Sequence, residues 1–342
     1  MKTLKGFNSG INLGGWLSQC DHKKETYENY ITESDIEAIS RNGLDHIRVP
    51  IDYNLIEDED GNRLEEGFKY IDRAIGWSRK YGLGMILDLH SAYGFSFDDG
   101  VTEAPFFYSE EIQERFYKLW EELASRYSQY EDSLILELLN EVTDKKYCET
   151  WNSIIEKCIE RIRAISPTIR IMFGGYYNNS IESLVDLVRP DDDNIVYTFH
   201  CYEPLIFTHQ GAYWAPGMDE NFRMSINEPY KVMKENSEKY LTQVTVGFDD
   251  FDEDDRFDIK FFDKYFSEAV SLAKDRDVPL YCGEYGVIDL AEPEETLKWY
   301  KITHEAFEKY GIGRAAWNYR GKDFGFTDEH MKPILKELVT FL

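Results

Sequence analysis

Eight times along the chain a short apolar run is followed by a stretch of helical periodicity, and this alternation restricts the fold more than any other feature. The runs are Ile11–Leu13, His46–Pro50, Met85–Leu89, Leu134–Leu139, Arg170–Gly174, Ile195–His200, Leu280–Gly283 and Ala315–Asn318. Between them, Thr32-Glu-Ser-Asp35 has the form of a capping box opening a helix that ends near Asn42-Gly43, and Glu65–Tyr81 puts Phe68, Ile71 and Ile75 on one face. Ser109–Tyr130 and Tyr147–Ile165 carry apolar residues at helical spacing, and Ser180–Val188 is a shorter helix. Phe261–Asp275, Glu294–Tyr310 and Lys332–Leu342 complete the series. Strands alternating with helices imply a parallel sheet, and eight such units imply an α/β fold of the (β/α)8 TIM-barrel type. That barrel takes about 250 residues, whereas this chain has 342. The surplus falls mostly between His200 and Phe261, where no strand pattern occurs. There is no Pro/Ser-rich linker and no short repeat, so one domain is expected over residues 1–342, with an insertion over approximately 203–260. A doubly wound sheet is disfavoured because no G-x-G-x-x-G follows the first strand; Gly14-Gly15 is only a turn signal.

Charge narrows the partners. Lys and Arg total 38 against 65 Asp and Glu, a net charge of −27. Nucleic acid, anionic membrane surfaces and phosphorylated substrates would be repelled, so a neutral or cationic substrate is expected. The five cysteines (Cys20, Cys148, Cys158, Cys201 and Cys282) are too scattered for a disulfide framework and suit a reducing compartment. The opening MKTLKGFNSGINLGGWL lacks the apolar h-region of a signal peptide. A cytoplasmic location is therefore expected for the chain as written, and secretion if a leader has been trimmed. No apolar stretch is long enough to span a bilayer.

In this barrel, functional groups gather at the C-terminal ends of the strands. Those ends carry Asn12, Arg48, His90, Asn140 with Glu141, His200 with Tyr202, Glu284 and Trp317 with Asn318. Taken singly, each has a plain structural explanation: Arg48 as a buried ion pair, His90 or His200 as a satisfied core histidine, Trp317 as a barrel plug. Packing alone does not require so many polar groups at one end. Glu141 and Glu284 decide the matter, because each follows an apolar run, LILELLN and PLYCG respectively. Carboxylates buried there cost free energy unless paired or hydrogen-bonded. Two carboxyls facing each other across a barrel mouth are what glycosidic cleavage needs: one protonated donor to the leaving oxygen, one nucleophile at the anomeric carbon. Arg48 can then hold the nucleophile ionised, Asn140 can bind a sugar hydroxyl, and Trp317 can stack on a pyranose face.

These residues resemble glycoside hydrolase family five, the large cellulase family, and in particular its compact clostridial endoglucanases. The resemblance runs over essentially the whole chain. It is carried by GINLGGW (Gly10–Trp16), HIRVP (His46–Pro50), LDLH (Leu87–His90), ELLNEV (Glu137–Val142), FHCY (Phe199–Tyr202), YCGEYGV (Tyr281–Val287) and AAWNY (Ala315–Tyr319). It implies that Glu141 is the acid/base, Glu284 the nucleophile, His200 a neighbour of the acid/base and Tyr202 a donor to the nucleophile. It also implies a helical insertion after strand six; no metal and no cofactor are expected. One departure is Ser91, where many relatives carry a second His or an aromatic residue; this puts the preferred glucan in doubt. The insertion emerges at the mouth, so it is expected to wall one side of the cleft with Trp214 stacking on a sugar ring, the plain alternative being a satellite bundle on the rim. The acidic run Asp249–Asp255 fails the calcium-loop spacing and is expected to be a solvated face.

The leading expectation is a retaining endo-β-1,4-glucanase, a monomer acting on soluble or amorphous β-glucan. Mixed-linkage glucan, xyloglucan, mannan and short β-glucosides fit the same catalytic set. No carbohydrate-binding module lies within these residues, which makes crystalline cellulose a poor substrate. A metal-dependent hydrolase is disfavoured because strand one has no H-x-H and the histidines lack ligand spacing. A non-catalytic sugar-binding barrel is disfavoured because both carboxylates and their supporting groups are present.

Overall fold

A computed structural model describes residues 1–99, 103–241 and 247–342. Eight parallel strands form the barrel: β1 (Ser9–Asn12), β2 (His46–Asp52), β3 (Gly84–Ala92), β4 (Leu134–Glu137), β5 (Arg170–Phe173), β6 (Ile195–His200), β7 (Leu280–Tyr285) and β8 (Gly313–Ala316). Each pairs with its neighbour in sequence, and β1 also pairs with β8, which closes the sheet. A two-residue arm, Phe95–Ser96, folds back antiparallel on the end of β3.

The period of two along each strand separates two cores. Outward residues such as Met85, Leu87 and Leu89 of β3 join the core beneath the helices. The inward set is Ile86, Ile135, Met172, Val196, Tyr281 and Ala315, closed at the bottom by Leu4 and Phe7 from the N-terminal segment. Two and four residues further up, the inward positions turn polar: Ile86 is followed by Asp88 and His90, Ile135 by Glu137, and Val196 by Thr198 and His200. The barrel is thus apolar at its base and charged at its mouth. Register shifts interrupt the ladders at Ile51/Asp52, Phe199/His200 and Cys282/Tyr285. Such irregularities re-aim side chains, and these three lie at the mouth.

Helices cover the outside where their apolar stripes fall. Glu33–Arg41 is opened by the Thr32/Asp35 capping box. Glu65–Lys80, Glu110–Tyr127, Cys148–Arg163 and Pro293–Tyr310 lie close to their expected bounds. Elsewhere the sequence periodicity overstates helix. The stretch after β5 is a 3-10 helix, Ile181–Asp186, and the C-terminal segment is broken into short turns around Leu335–Leu338. The helix expected over Phe261–Asp275 divides at Phe266 into Ile259–Tyr265 and Ser267–Arg276. Regular strand four ends at Glu137, although Leu138 N–H still donates to the Met172 carbonyl at 2.9 Å and Asn140 N–H to the Leu89 carbonyl at 3.1 Å.

Among the described residues of the insertion, helix is confined to Leu205–Thr208, Tyr230–Tyr240 and the first turn of Ile259–Tyr265, and the rest is turns and loops. Its acidic run lies against lysines: Asp249 on Lys234, Asp250 on Lys264 at 3.2 Å and Glu253 on Lys231 at 4.0 Å. All five cysteines are free. Among the described residues no helix is long and apolar enough to cross a membrane.

Candidate active site

Arg48 is the hub of the mouth. It is fully buried, so its five donors must all be used inside the protein. Nε and Nη2 grip the carboxylate of Glu137 at 2.7 and 3.0 Å, and Nη2 also lies 3.0 Å from Asp88 Oδ2 and 2.9 Å from Asn140 Oδ1. Nη1 donates to Asn12 Oδ1 at 2.9 Å and Glu284 Oε1 at 2.8 Å. Asn12 in turn donates to the carbonyls of Gly283 and Ala315, at 2.9 and 3.1 Å, which ties β1 to β7 and β8. One guanidinium therefore fixes side chains from four other strands or strand ends.

Glu284 receives a second donor on its other oxygen, the Tyr202 hydroxyl at 2.9 Å. Burial, and then the neighbouring Glu284 charge, hold the Tyr202 phenol well above its ordinary pKa, so it remains a donor. Both oxygens of Glu284 therefore accept a hydrogen bond.

Glu141 stands opposite. His200 Nδ1 lies 2.7 Å from its Oε1 and Asn178 Nδ2 donates to its Oε2 at 2.9 Å. Burial pushes the Glu141 carboxyl up to about 7, and the Asn178 amide pulls the other way. Burial is the main cause of this elevation. Burial also drives His200 down to about 4, which keeps its ring neutral near neutral pH. Ligand atoms of Glu141, His200 and Glu284 all lie within 4.8 Å of one another. The two carboxyls therefore face each other across a short gap.

That trio is also a geometric possibility for a metal. A cation there would sit beside the Arg48 guanidinium, and each carboxylate oxygen of the pair already accepts a hydrogen bond. Repulsion from the Arg48 charge opposes a cation there.

Two of the remaining polar groups at the mouth keep an unused hydrogen-bonding atom. His90 Nδ1 is held by Asp88 Oδ2 at 2.6 Å, while its Nε2 is buried without a partner, as is Asn140 Nδ2. Burial works against a charge on His90, but Asp88 outweighs it and the pKa is raised. The Trp317 ring lies parallel to that of His90, with centroids 5.8 Å apart. Gly14 makes room for it, since a Cβ there would come within 2.4 Å of the indole. Trp214 is 40% exposed and packs on Phe324 and His209, which both contact Tyr202. Ser91 donates to Asp52 at 2.8 Å and lines a cavity of about 420 Å³ that also borders Phe95, Glu103 and Thr143.

Asn12, Arg48, His90, Asn140, Glu141, His200, Tyr202, Glu284 and Trp317 lie in the polar network of this one mouth and its ring stack, and Trp214 lies one layer out on the rim. Sequence reasoning missed Asp88 and Glu137, although each is a charge inside an apolar strand run and so had to be paired. It also missed Asn178 and Asn179, whose available signal was an Asn pair after Gly174-Gly175, a combination suited to left-handed backbone.

The family model for Cellulase (glycosyl hydrolase family 5) matches residues 5–323. The chain belongs to glycoside hydrolase family 5. It is 45% identical over 314 residues to cellodextrinase A of Ruminococcus flavefaciens, covering 92% of this chain and 86% of that protein. It is 38% identical over 346 residues to endoglucanase C of Acetivibrio thermocellus, covering 99% of this chain and 98% of that protein. Among solved structures, Thermotoga maritima Cel5A in complex with cellobiose superposes with a TM-score of 0.76 at 26% identity, covering 98% of each chain. This family 5 chain is a glycoside hydrolase, and the (β/α)8 barrel is the architecture its solved neighbours share.

Proposed function

We propose that the protein is a retaining endo-β-1,4-glucanase acting on soluble or amorphous β-glucan. The observation that carries this reading is the proximity of Glu141 and Glu284: one oxygen of each lies within 4.8 Å of the other, and His200 Nδ1 reaches both, at 2.7 and 3.6 Å. Retaining enzymes hold their carboxyls about 5–5.5 Å apart, whereas inverting enzymes leave about 6.5–9.5 Å for a water. In the first step Glu141 gives its proton to the glycosidic oxygen while Glu284 attacks the anomeric carbon, forming a glycosyl-enzyme. In the second, Glu141 takes a proton from water, which displaces Glu284. Arg48 and Tyr202 hold the nucleophile, and the unpartnered His90 Nε2 and Asn140 Nδ2 take sugar hydroxyls, with Trp317 as the stacking face. The whole constellation comes from one chain, which supports a monomer, with residues 1–342 read as its catalytic domain and 203–260 as an insertion at the cleft.

The names of the relatives support a glucan. Endoglucanase C and cellodextrinase A point to β-1,4-linked glucose, and Cel5A has been crystallised with cellobiose and with mannotriose. The alternatives are the same mechanism on mixed-linkage glucan, xyloglucan, mannan or short β-glucosides, which a substrate panel ranks. The test of mechanism is NMR of the first product released from a cello-oligosaccharide. The β anomer is expected at early times; an α anomer would sink the double-displacement reading.

Trp214 supplies a second test. Its exposed face extends the wall formed by Phe324 and Tyr202, so it is placed to stack on a sugar remote from the reacting bond. Remote contacts position the scissile bond, and their loss lowers turnover as well as affinity. Trp214→Ala is expected to cut kcat/KM on oligosaccharides roughly tenfold, the effect of about 1.4 kcal/mol, with little change in Tm and unchanged hydrolysis of a minimal aryl glucoside. Early melting with normal oligosaccharide hydrolysis would make Trp214 a packing residue.

A further inference from the structure

Three successive non-glycine residues after β5, Tyr177, Asn178 and Asn179, have φ angles of 51°, 56° and 56°. Left-handed backbone is unfavourable for L residues and normally occurs one residue at a time. Strained backbone persists only where its surroundings over-determine it, and it concentrates at functional sites. Here the surroundings are specific. A Cβ on Gly174 would lie 2.3 Å from Asn179 Oδ1, and one on Gly175 would lie 2.2 Å from Ser183 Oγ, so the two glycines let the turn tuck against the barrel. The Asn178 N–H donates to the Val142 carbonyl at 3.1 Å, tying the turn to the loop of Glu141, which is itself left-handed at φ 40°.

The turn aims two amides at the acid/base. Asn178 Nδ2 donates to Glu141 Oε2 at 2.9 Å, and Asn179 Nδ2 meets His200 Nε2 at 3.4 Å. With the Asn179 NH₂ facing the ring, Nε2 is the acceptor and the proton of the neutral ring sits on Nδ1. That proton points at Glu141 Oε1, 2.7 Å away. We propose that the left-handed turn Tyr177–Asn179 is a positioning element for the acid/base, Asn178 presenting a donor to one oxygen of Glu141 directly and Asn179 presenting one to the other through His200. Burial alone would leave the carboxyl too reluctant to ionise after it has given up its proton. Donors to both oxygens favour the carboxylate, which the second step needs as its base. The inference rests on the role proposed for Glu141.

Asn178→Gly tests it, because glycine keeps the left-handed backbone accessible and removes only the amide. The alkaline limb of kcat/KM on a cello-oligosaccharide is expected to move up by about one pH unit, the scale of one hydrogen bond to a charged group. Turnover should fall about tenfold as water attack becomes limiting, again the scale of one such bond. Asn178→Asp, of the same shape but with a like charge facing Glu141, should move the limb further in the same direction; it serves as the test if the glycine variant does not fold. Glu141→Gln on an activated aryl cellobioside is the control and should lose the alkaline limb. An unmoved limb in a folded Asn178 variant, with the limb lost in Glu141→Gln, overturns this inference alone. A limb that persists in Glu141→Gln overturns the role of Glu141 and the inference with it.

Discussion

Glu284→Gln is expected to abolish hydrolysis of every substrate, with kcat falling on the order of 10⁴–10⁶-fold, as for loss of other enzymic nucleophiles. A glutamine cannot form the covalent glycosyl-enzyme, and a good leaving group does not compensate, because the missing step is bond formation at the anomeric carbon. The substitution leaves the fold in place. The amide oxygen can face Arg48 Nη1 and the NH₂ can face the Tyr202 hydroxyl, which turns to accept, so neither neighbour at 2.8 and 2.9 Å loses its contact. Activity assayed on polymer, oligosaccharide and aryl glycoside, beside a melting curve, separates chemistry from stability. A folded variant within tenfold of wild type on any of these would remove Glu284 from the nucleophile role.

Glu141→Gln is expected to behave differently on different leaving groups. On oligosaccharides, loss of the proton donor should cost about 10²–10⁴-fold. On an activated aryl glycoside the first step needs no proton, so residual activity persists. Azide should raise it, since a small anion attacks the glycosyl-enzyme without a general base. The pH profile carries the same assignment. Burial pushes Glu141 up to about 7, and the first step uses its protonated form, so kcat/KM should fall as pH rises through that value. Glutamine does not titrate, and the alkaline limb should vanish. If azide instead rescues Glu284→Gln and leaves Glu141→Gln inert, the two roles are exchanged.

The two variants probe residues that are legible without coordinates, and the reason is physical. A carboxylate next to an apolar strand run must find a partner or leave the interior, and strand ends of an eight-unit alternation share one face. Arg48, His90, His200 and Trp317 follow from the same argument. The periodicity that marks Glu65–Lys80 and Glu110–Tyr127 also marks their buried faces, so both elements and packing are readable there. It fails over Lys332–Leu342, where a few apolar residues suit short turns as well as a helix.

What the chain by itself determined is therefore the barrel, the end at which chemistry collects and the pair of carboxyls, because these depend on alternation, strand parity and the cost of burying charge, all local properties. Only the tertiary structure decided the rest. Asp88 and Glu137 become partners of Arg48 because β2, β3 and β4 lie side by side, and nothing local to any one strand records that contact. The elevation of Glu141 comes from the depth to which the closed barrel buries it. Asn178 reaches Glu141 across 37 residues only because Gly174 and Gly175 let a left-handed turn fold against the mouth. Distances between side chains on different strands are set by sheet closure and register, and a one-dimensional pattern does not contain them.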